Sequence, residues 1–175
     1  LLAGLIASCQ VSRETSDNQS SKISTMSKKE TVGTFLGAVL QNDPTTMRAL
    51  ANADYIQQNP FIPTGLEPFI QMLPLLQENG TTAENIRMFQ DGNYVFMHNI
   101  WRNARPFGAE EMVSFDIIRL DDNGKVAEHW DAMTALVSET VNGRTQTDGP
   151  TEVQDLDKTE ANKALAKALV EDVLM

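Results

Sequence analysis

Residues 115–131 read FDIIRLDDNGKVAEHWD. Two apolar runs flank Asp122-Asn123-Gly124, a combination that supplies the tight turn of a β-hairpin. Asp116 stands early in the first strand, and Glu128, His129, Trp130 and Asp131 close the second. A carboxylate among Phe, Ile and Leu is costly to bury unless it is paired, protonated or used. The hairpin therefore sets the fold as antiparallel sheet and marks the place to look for chemistry.

Upstream of the hairpin the pattern is sheet as far back as Ile86. Ile86 to Gln90 and Tyr94 to Arg102 alternate around Asp91-Gly92, another hairpin signal, and a further strand is expected over Ala135 to Val141. Before Ile86 the periodicity is helical. Ser27 and Glu30 have capping-box spacing, followed by Val32, Phe35, Leu36, Val39 and Leu40 at helical intervals. Asp43-Pro44 opens a second helix around Met47 and Leu50. Thr64 and Glu67 suggest a third, buried through Phe69, Met72, Leu73 and Leu76 and kinked at Pro74. Tyr55 to Pro63 is expected to be irregular because of its prolines. Helices followed by antiparallel strands predict an α+β domain over 27–146, its helices packed on one face of a curved sheet.

The flanks differ in character. LLAGLIASC at 1–9 is an apolar run ending in small residues before the chain's single Cys, and Ile6-Ala7-Ser8-Cys9 resembles a bacterial lipobox. The expectation is the end of a lipoprotein signal peptide with Cys9 as the lipidation site, which would put the protein outside the cytoplasm on a membrane anchor. The missing basic region implies a start upstream of Leu1. Residues 10–26 are polar and aperiodic, the composition of a flexible tether. Residues 147–157, with Gly149-Pro150, read as a linker. Residues 158–175 form an amphipathic helix around Leu165, Leu169 and Val173, either the first helix of a second copy of the domain or a C-terminal helix packed on this one. The net charge of −10 argues against a nucleic-acid partner.

YIQQNPFIPTG at 55–65, VFMHNIWR at 95–102 and FDIIRLDDNGKVAEHWD at 115–131, in this order, resemble the SnoaL-like (polyketide cyclase-like) proteins of the nuclear-transport-factor-2-like superfamily. The motif ending in Glu-His-Trp-Asp is similar to that of a subgroup described as predicted aldol-condensation-catalysing enzymes. The resemblance covers roughly Ser27 to Asn142. It implies a cone, a bent antiparallel sheet wrapped around helices with a pocket at its open end, and often a homodimer. It also implies an acid/base Asp on a central strand helped by a His on a neighbouring strand. By motif position these are Asp116 and His98, with Tyr55, Gln58 and Asn59 in a loop lining the pocket. The sequence departs from the subgroup at Gln58, where His is usual. Gln can hydrogen-bond but cannot move protons near neutral pH.

Strand alternation places His98 with Phe96 and Ile100, Asp116 with Ser114 and Ile118, Glu128 with Trp130, and His129 with Asp131. The expected pocket joins His98, Asp116 and Trp130 as donor, base and apolar wall, leaving His129 and Asp131 to the surface or an interface. Asp116 and His98 also have plainer readings, as a structural acceptor for the 55–60 loop and as a satisfied core histidine. The histidines and acids lack a tight metal spacing such as His-Glu-x-x-His, so neither a metal nor any other cofactor is expected. Three functions fit: a lyase or isomerase acting on a small apolar carbonyl compound through Asp116 and His98, a non-catalytic binding domain for a small apolar ligand, or an assembly module.

Overall fold

The computed structural model describes residues 26–175. The expected signal peptide with Cys9, and nearly all of the expected tether, lie outside the described residues. Helix α1 (Lys28–Leu40) starts where the capping box predicts. Ser27 Oγ accepts from the Glu30 N–H, and Glu30 accepts from the Ser27 N–H at 2.7 Å. Helix α2 (Pro44–Leu50) is capped by Asp43, whose Oδ1 accepts from the Thr45 and Thr46 N–H groups. The third expected helix is two: α3 (Leu66–Ile70) and α4 (Leu73–Glu78), with Pro74 in the first turn of α4. The Thr64–Glu67 capping box does not form. Thr64 Oγ1 accepts from the Gln57 N–H, and Glu67 pairs with Arg48.

Strands β2 (Thr82–Asp91), β3 (Tyr94–Arg102), β4 (Glu111–Leu120) and β5 (Val126–Ala135) form an antiparallel meander. The expected strand over Ala135 to Val141 is absent. The fifth strand is β1 (Ala51–Gln57), running parallel to β5, so the sheet order is β1-β5-β4-β3-β2. β1 takes in Tyr55 to Gln57, residues expected to be irregular. Their prolines fall at Pro60 and Pro63, beyond the last paired residue, where no ladder donor is lost.

The helices cover the concave face. Val32, Phe35, Met47, Leu50, Leu66, Phe69, Leu73 and Leu76 pack with Val95, Met97, Ile118, Leu120 and Val126 from the strands. Tyr55 joins this core, its ring near Phe35 and stacked on Phe69 at 6.1 Å. The convex face carries Phe89, Tyr94, Phe96, Phe115, Ile117 and Trp130, most of them substantially exposed. Helix α5 (Thr159–Ala168), continued by a π-helical stretch at Leu169–Leu174, has no buried residue and touches the sheet through a Lys163–Asp91 ion pair of 2.7 Å. Among the described residues no helix is long and apolar enough to cross a membrane.

Helix α4 offers a direct check of the inward face. Leu73 is fully buried, while Leu75 is half exposed. Leu73→Ala should cost about 2–5 kcal/mol in denaturant unfolding, and Leu75→Ala less than about 1 kcal/mol.

Candidate functional site

The concave face holds a chain of polar side chains inside the apolar cone. Asp116 is at its centre, almost completely buried. Its Oδ2 accepts from Asn99 Nδ2 at 2.8 Å and from the Ser114 hydroxyl. Ser114 Oγ in turn accepts from Trp101 Nε1 at 2.9 Å, and Asn99 Oδ1 accepts from Asn85 Nδ2 at 2.8 Å. The other oxygen, Oδ1, lies 3.0 Å from His129 Nε2. Asp116 therefore has a polar partner on each oxygen, which offsets the cost of burying it.

The proton on His129 can be placed from its neighbours. Gln57 Oε1 accepts from the backbone N–H of Asn59 at 3.1 Å, so this amide oxygen is identified by a donor that cannot change role. Gln57 Nε2 donates to the Tyr55 hydroxyl at 3.1 Å, consistent with the same orientation. His129 Nδ1 lies 3.1 Å from Gln57 Oε1 and must donate to it. Nδ1 thus carries a hydrogen, and Nε2 points at Asp116 Oδ1 across 3.0 Å, close enough for a single proton to join the two.

Asp131 faces Asp116 across the β4–β5 ladder. Its Oδ2 accepts from Asn59 Nδ2 at 2.7 Å. Among the described residues nothing hydrogen-bonds its Oδ1. Asp131 and Asn59 line a cavity of about 550 Å³ at the open end of the cone, walled by Phe61, Ile62, Met72, Phe107, Met112 and Met133 with Arg105 beside them. The cavity suits a small, mostly apolar molecule. Tyr55 lies behind the site. Burial pushes its phenol well above the ordinary 10.0, and the negative charges of Asp131 and Asp116 push it further, so it stays protonated.

This arrangement corrects the predicted grouping. His98, Asp116 and Trp130 do not share a face. His98 stands across from Phe115 on the convex side, stacked on that ring at 4.2 Å, with Nδ1 2.6 Å from Arg87. Trp130 stands across from Ile117 and lines a convex groove with Phe89, Tyr94 and Phe96. His129 and Asp131, expected at the surface, are the residues that meet Asp116. For the β5 residues the cause is a bulge: Leu120 pairs with Val126 but Arg119 with Glu128, so Ala127 is an extra residue in β5 and turns over all that follows. His98 is set by the regular β3–β4 register, which pairs Met97 with Asp116 and His98 with Phe115.

The loop residues also separate. Asn59 lines the cavity and Tyr55 backs it, but Gln58 points outward and donates to Glu128 at 2.8 Å, beside the Arg119–Glu128 pair. Gln58 is therefore not a pocket residue. Gln57, Asn99 and Ser114 belong to the site and carried no signal in the sequence apart from sharing alternation with Tyr55 or Asp116. One oxygen or nitrogen each from Asp116, His129 and Asp131 lies within 4.8 Å of the others, a spacing that could hold a cation. The Asp116–His129 bond would have to open first, because it directs two of the three candidate ligand atoms at each other.

With this geometry in view, comparison with solved structures places the fold. An NTF2-like protein of unknown function from Cytophaga hutchinsonii superposes with a TM-score of 0.51 at 14% identity, over 63% of this chain and 92% of that one. An uncharacterised cystatin-fold protein from Novosphingobium aromaticivorans gives 0.51 at 18% identity, over 61% and 98%. A Bacillus cereus protein provisionally called a polyketide cyclase gives 0.50 at 14% identity, over 62% and 79%. No protein-family model and no curated protein matches the chain. The fold is therefore NTF2-like: an α+β cone with a pocket at its mouth.

Ser114 tests the network apart from any activity. Ser114→Ala leaves the Trp101 N–H without its acceptor and removes one donor from Asp116. It should cost about 1–3 kcal/mol in chemical denaturation. Gln58→Ala, on the exposed side, should change stability by less than about 0.5 kcal/mol.

Proposed function

We propose that this chain is a cofactor-independent lyase or isomerase that moves a proton on a small, largely apolar carbonyl compound held in the 550 Å³ cavity. The observation that carries the reading is the arrangement of Asp131: it lines the cavity, one of its oxygens is held by Asn59, and it lies beside the Asp116–His129 pair. The substrate loses a proton from the carbon beside its carbonyl. Asp131 Oδ1 takes that proton, and the C–H electrons move into the carbonyl to give an enolate. The Arg105 guanidinium, in the cavity wall, supplies hydrogen-bond donors for the developing oxyanion. Asp131 then returns the proton, to a different atom of the substrate in an isomerisation or to the leaving fragment in a cleavage.

Asp116 and His129 are positioning residues in this scheme. Asp116 is buried, and each of its oxygens is already engaged by a side chain of the fold. It orients His129 beside Asp131. A placement outside the cytoplasm, as the Ile6–Cys9 motif suggests, favours free small molecules over carrier-bound chains as substrates.

The structural bonding of Asp116 favours a second reading, a non-catalytic binding domain whose polar chain only shapes the pocket. A panel of small carbonyl compounds and epoxides separates the two. On the catalytic reading, Asp131→Asn lowers kcat by about 100-fold or more, while His98→Asn leaves it unchanged. Undiminished turnover in Asp131→Asn overturns the mechanism. If the wild type turns over nothing while a panel compound raises its Tm, the binding reading replaces it.

A further inference from the structure

The convex face carries a second ionisable cluster, unrelated to the pocket. Arg87 of β2 stands across from His98 of β3, a pairing produced by a bulge between Asn85 and Arg87. Its NH1 donates to His98 Nδ1 at 2.6 Å. The rest of the guanidinium reaches some sixty residues along the chain. NH2 lies 3.2, 3.1 and 3.2 Å from the carbonyl oxygens of Thr147, Asp148 and Gly149, and Nε lies 3.2 Å from that of Pro150. A planar fork with five N–H groups suits this task, gathering several carbonyls of one loop around a fixed cation. Gly149 has φ +98, a conformation that L side chains rarely adopt, and it helps to turn the carbonyls of this loop toward the guanidinium.

The contact with Arg87 sets the protonation state of His98. A guanidinium only donates, so Nδ1 must accept, and the ring is the neutral tautomer with its hydrogen on Nε2. That Nε2 is buried and has no partner among the described groups. The ring is also pinned in its stack on Phe115. A proton added at Nδ1 would face a guanidinium N–H at 2.6 Å, donor against donor and cation against cation, with the ring unable to turn away.

We propose that Arg87 and His98 form an acid-released latch, which holds residues 147–150 against the convex face of the sheet while His98 is neutral and releases them when it takes up a proton. The charged groups around His98 weigh in both directions. Arg87 of β2 opposes the proton, Asp116 of β4 favours it from the other side of the sheet, and burial opposes it. Asp148 of the loop is engaged by Arg144 at 2.8 Å and by the Thr145 N–H. Burial is the largest influence and Arg87 the next, so the His98 pKa lies below its ordinary 6.5. The folded chain thus binds this proton less readily than the unfolded chain does. The latch contributes its full stability above pH 6.5 and loses it as pH falls through the lowered pKa.

The release is local. Gln146 ties the preceding stretch to β5, bonding the Ala135 carbonyl and the Val137 N–H. What comes free is the chain from Thr147 to α5, which then stays attached through Lys163 and Asp91 alone. For a protein exposed to an acidifying exterior, the latch would couple pH to the position of its C-terminal helix.

The test is backbone 15N relaxation of the full chain at pH 7.5 and at an acid pH at which the His98 ring protons have completed their titration. The amides of 147–150 should be rigid at the first and mobile at the second, with a midpoint matching the titration of the His98 ring protons. Arg87→Gln should leave the segment mobile at both values. His98→Asn, whose side-chain oxygen can replace Nδ1 as a neutral acceptor, should keep it rigid at both. A segment equally rigid at both pH values in the wild type overturns the proposal. So does a rigid segment in Arg87→Gln, or an acid transition that persists in His98→Asn. Should His98→Asn fail to fold, a mismatch between the segment's midpoint and the His98 titration overturns it equally.

Discussion

Between Leu120 and Arg119 the β4–β5 ladder takes one residue from β4 and two from β5, and the second is Ala127. A straight ladder continued from the Leu120–Val126 pair would set Trp130 across from Asp116. The bulge sets Asp131 there, with His129 beside it over Ile118. Side chains alternate with a period of two, so one inserted residue exchanges the two faces of everything beyond it. The buried acid consequently meets an imidazole and a second carboxylate. Trp130 goes to the convex face, where it joins Tyr94 at 6.4 Å. A second bulge, near Ile86, has a comparable effect on β2, bringing Arg87 opposite His98 and Asn85 opposite Asn99.

Once Asp116 is inside the cone, the rest of the polar chain follows from the cost of leaving any member unpaired. Asn99 and Ser114 are fully buried, and each has a partner at both ends of its side chain. The chain runs from Asn85 through Asn99, Asp116, His129 and Gln57 to Tyr55, across all five strands. Such a network is cooperative, since removing one member strands its neighbours. It also holds the site in place, because Asn85, Asn99, Asp116, His129 and Gln57 are each located by a partner on a different strand. Asp131 differs: one of its oxygens is bonded by Asn59 and the residue lines the cavity, so it is placed to act on something outside the chain.

Much of this could be read from the residues, and the limits follow the physics. Most local signals hold: the Ser27–Glu30 box, the Asp43 cap and the turns at Gly92 and Gly124 are as the side chains dictate, while the Thr64–Glu67 spacing fails because Gln57 and Arg48 take those two side chains. Alternation within each strand was also correct, including His129 with Asp131. What alternation could not supply was the register between strands, which depends on the bulge at Ala127, and alanine carries no special turn chemistry to announce it. β1 was missed for a related reason. Its partner is β5, and parallel pairing between segments some seventy residues apart leaves no turn between them to recognise. Gln58 stands in the motif position of a histidine, but its side chain points to Glu128, so the substitution does not touch the pocket.

The chain has two histidines, and the structure gives them opposite surroundings. His129 has an amide oxygen at one nitrogen and a carboxylate at the other, both acceptors. His98 has a guanidinium at one nitrogen and apolar packing around the other, so its surroundings keep a second proton off. The two side chains are separated by the thickness of one sheet. The ladder between His98 and Asp116 is β3–β4, continuous and without a bulge from Tyr94 to Arg102. The other three ladders carry the irregularities that choose each histidine's partners, and this regular one keeps His98 and Asp116 on opposite faces.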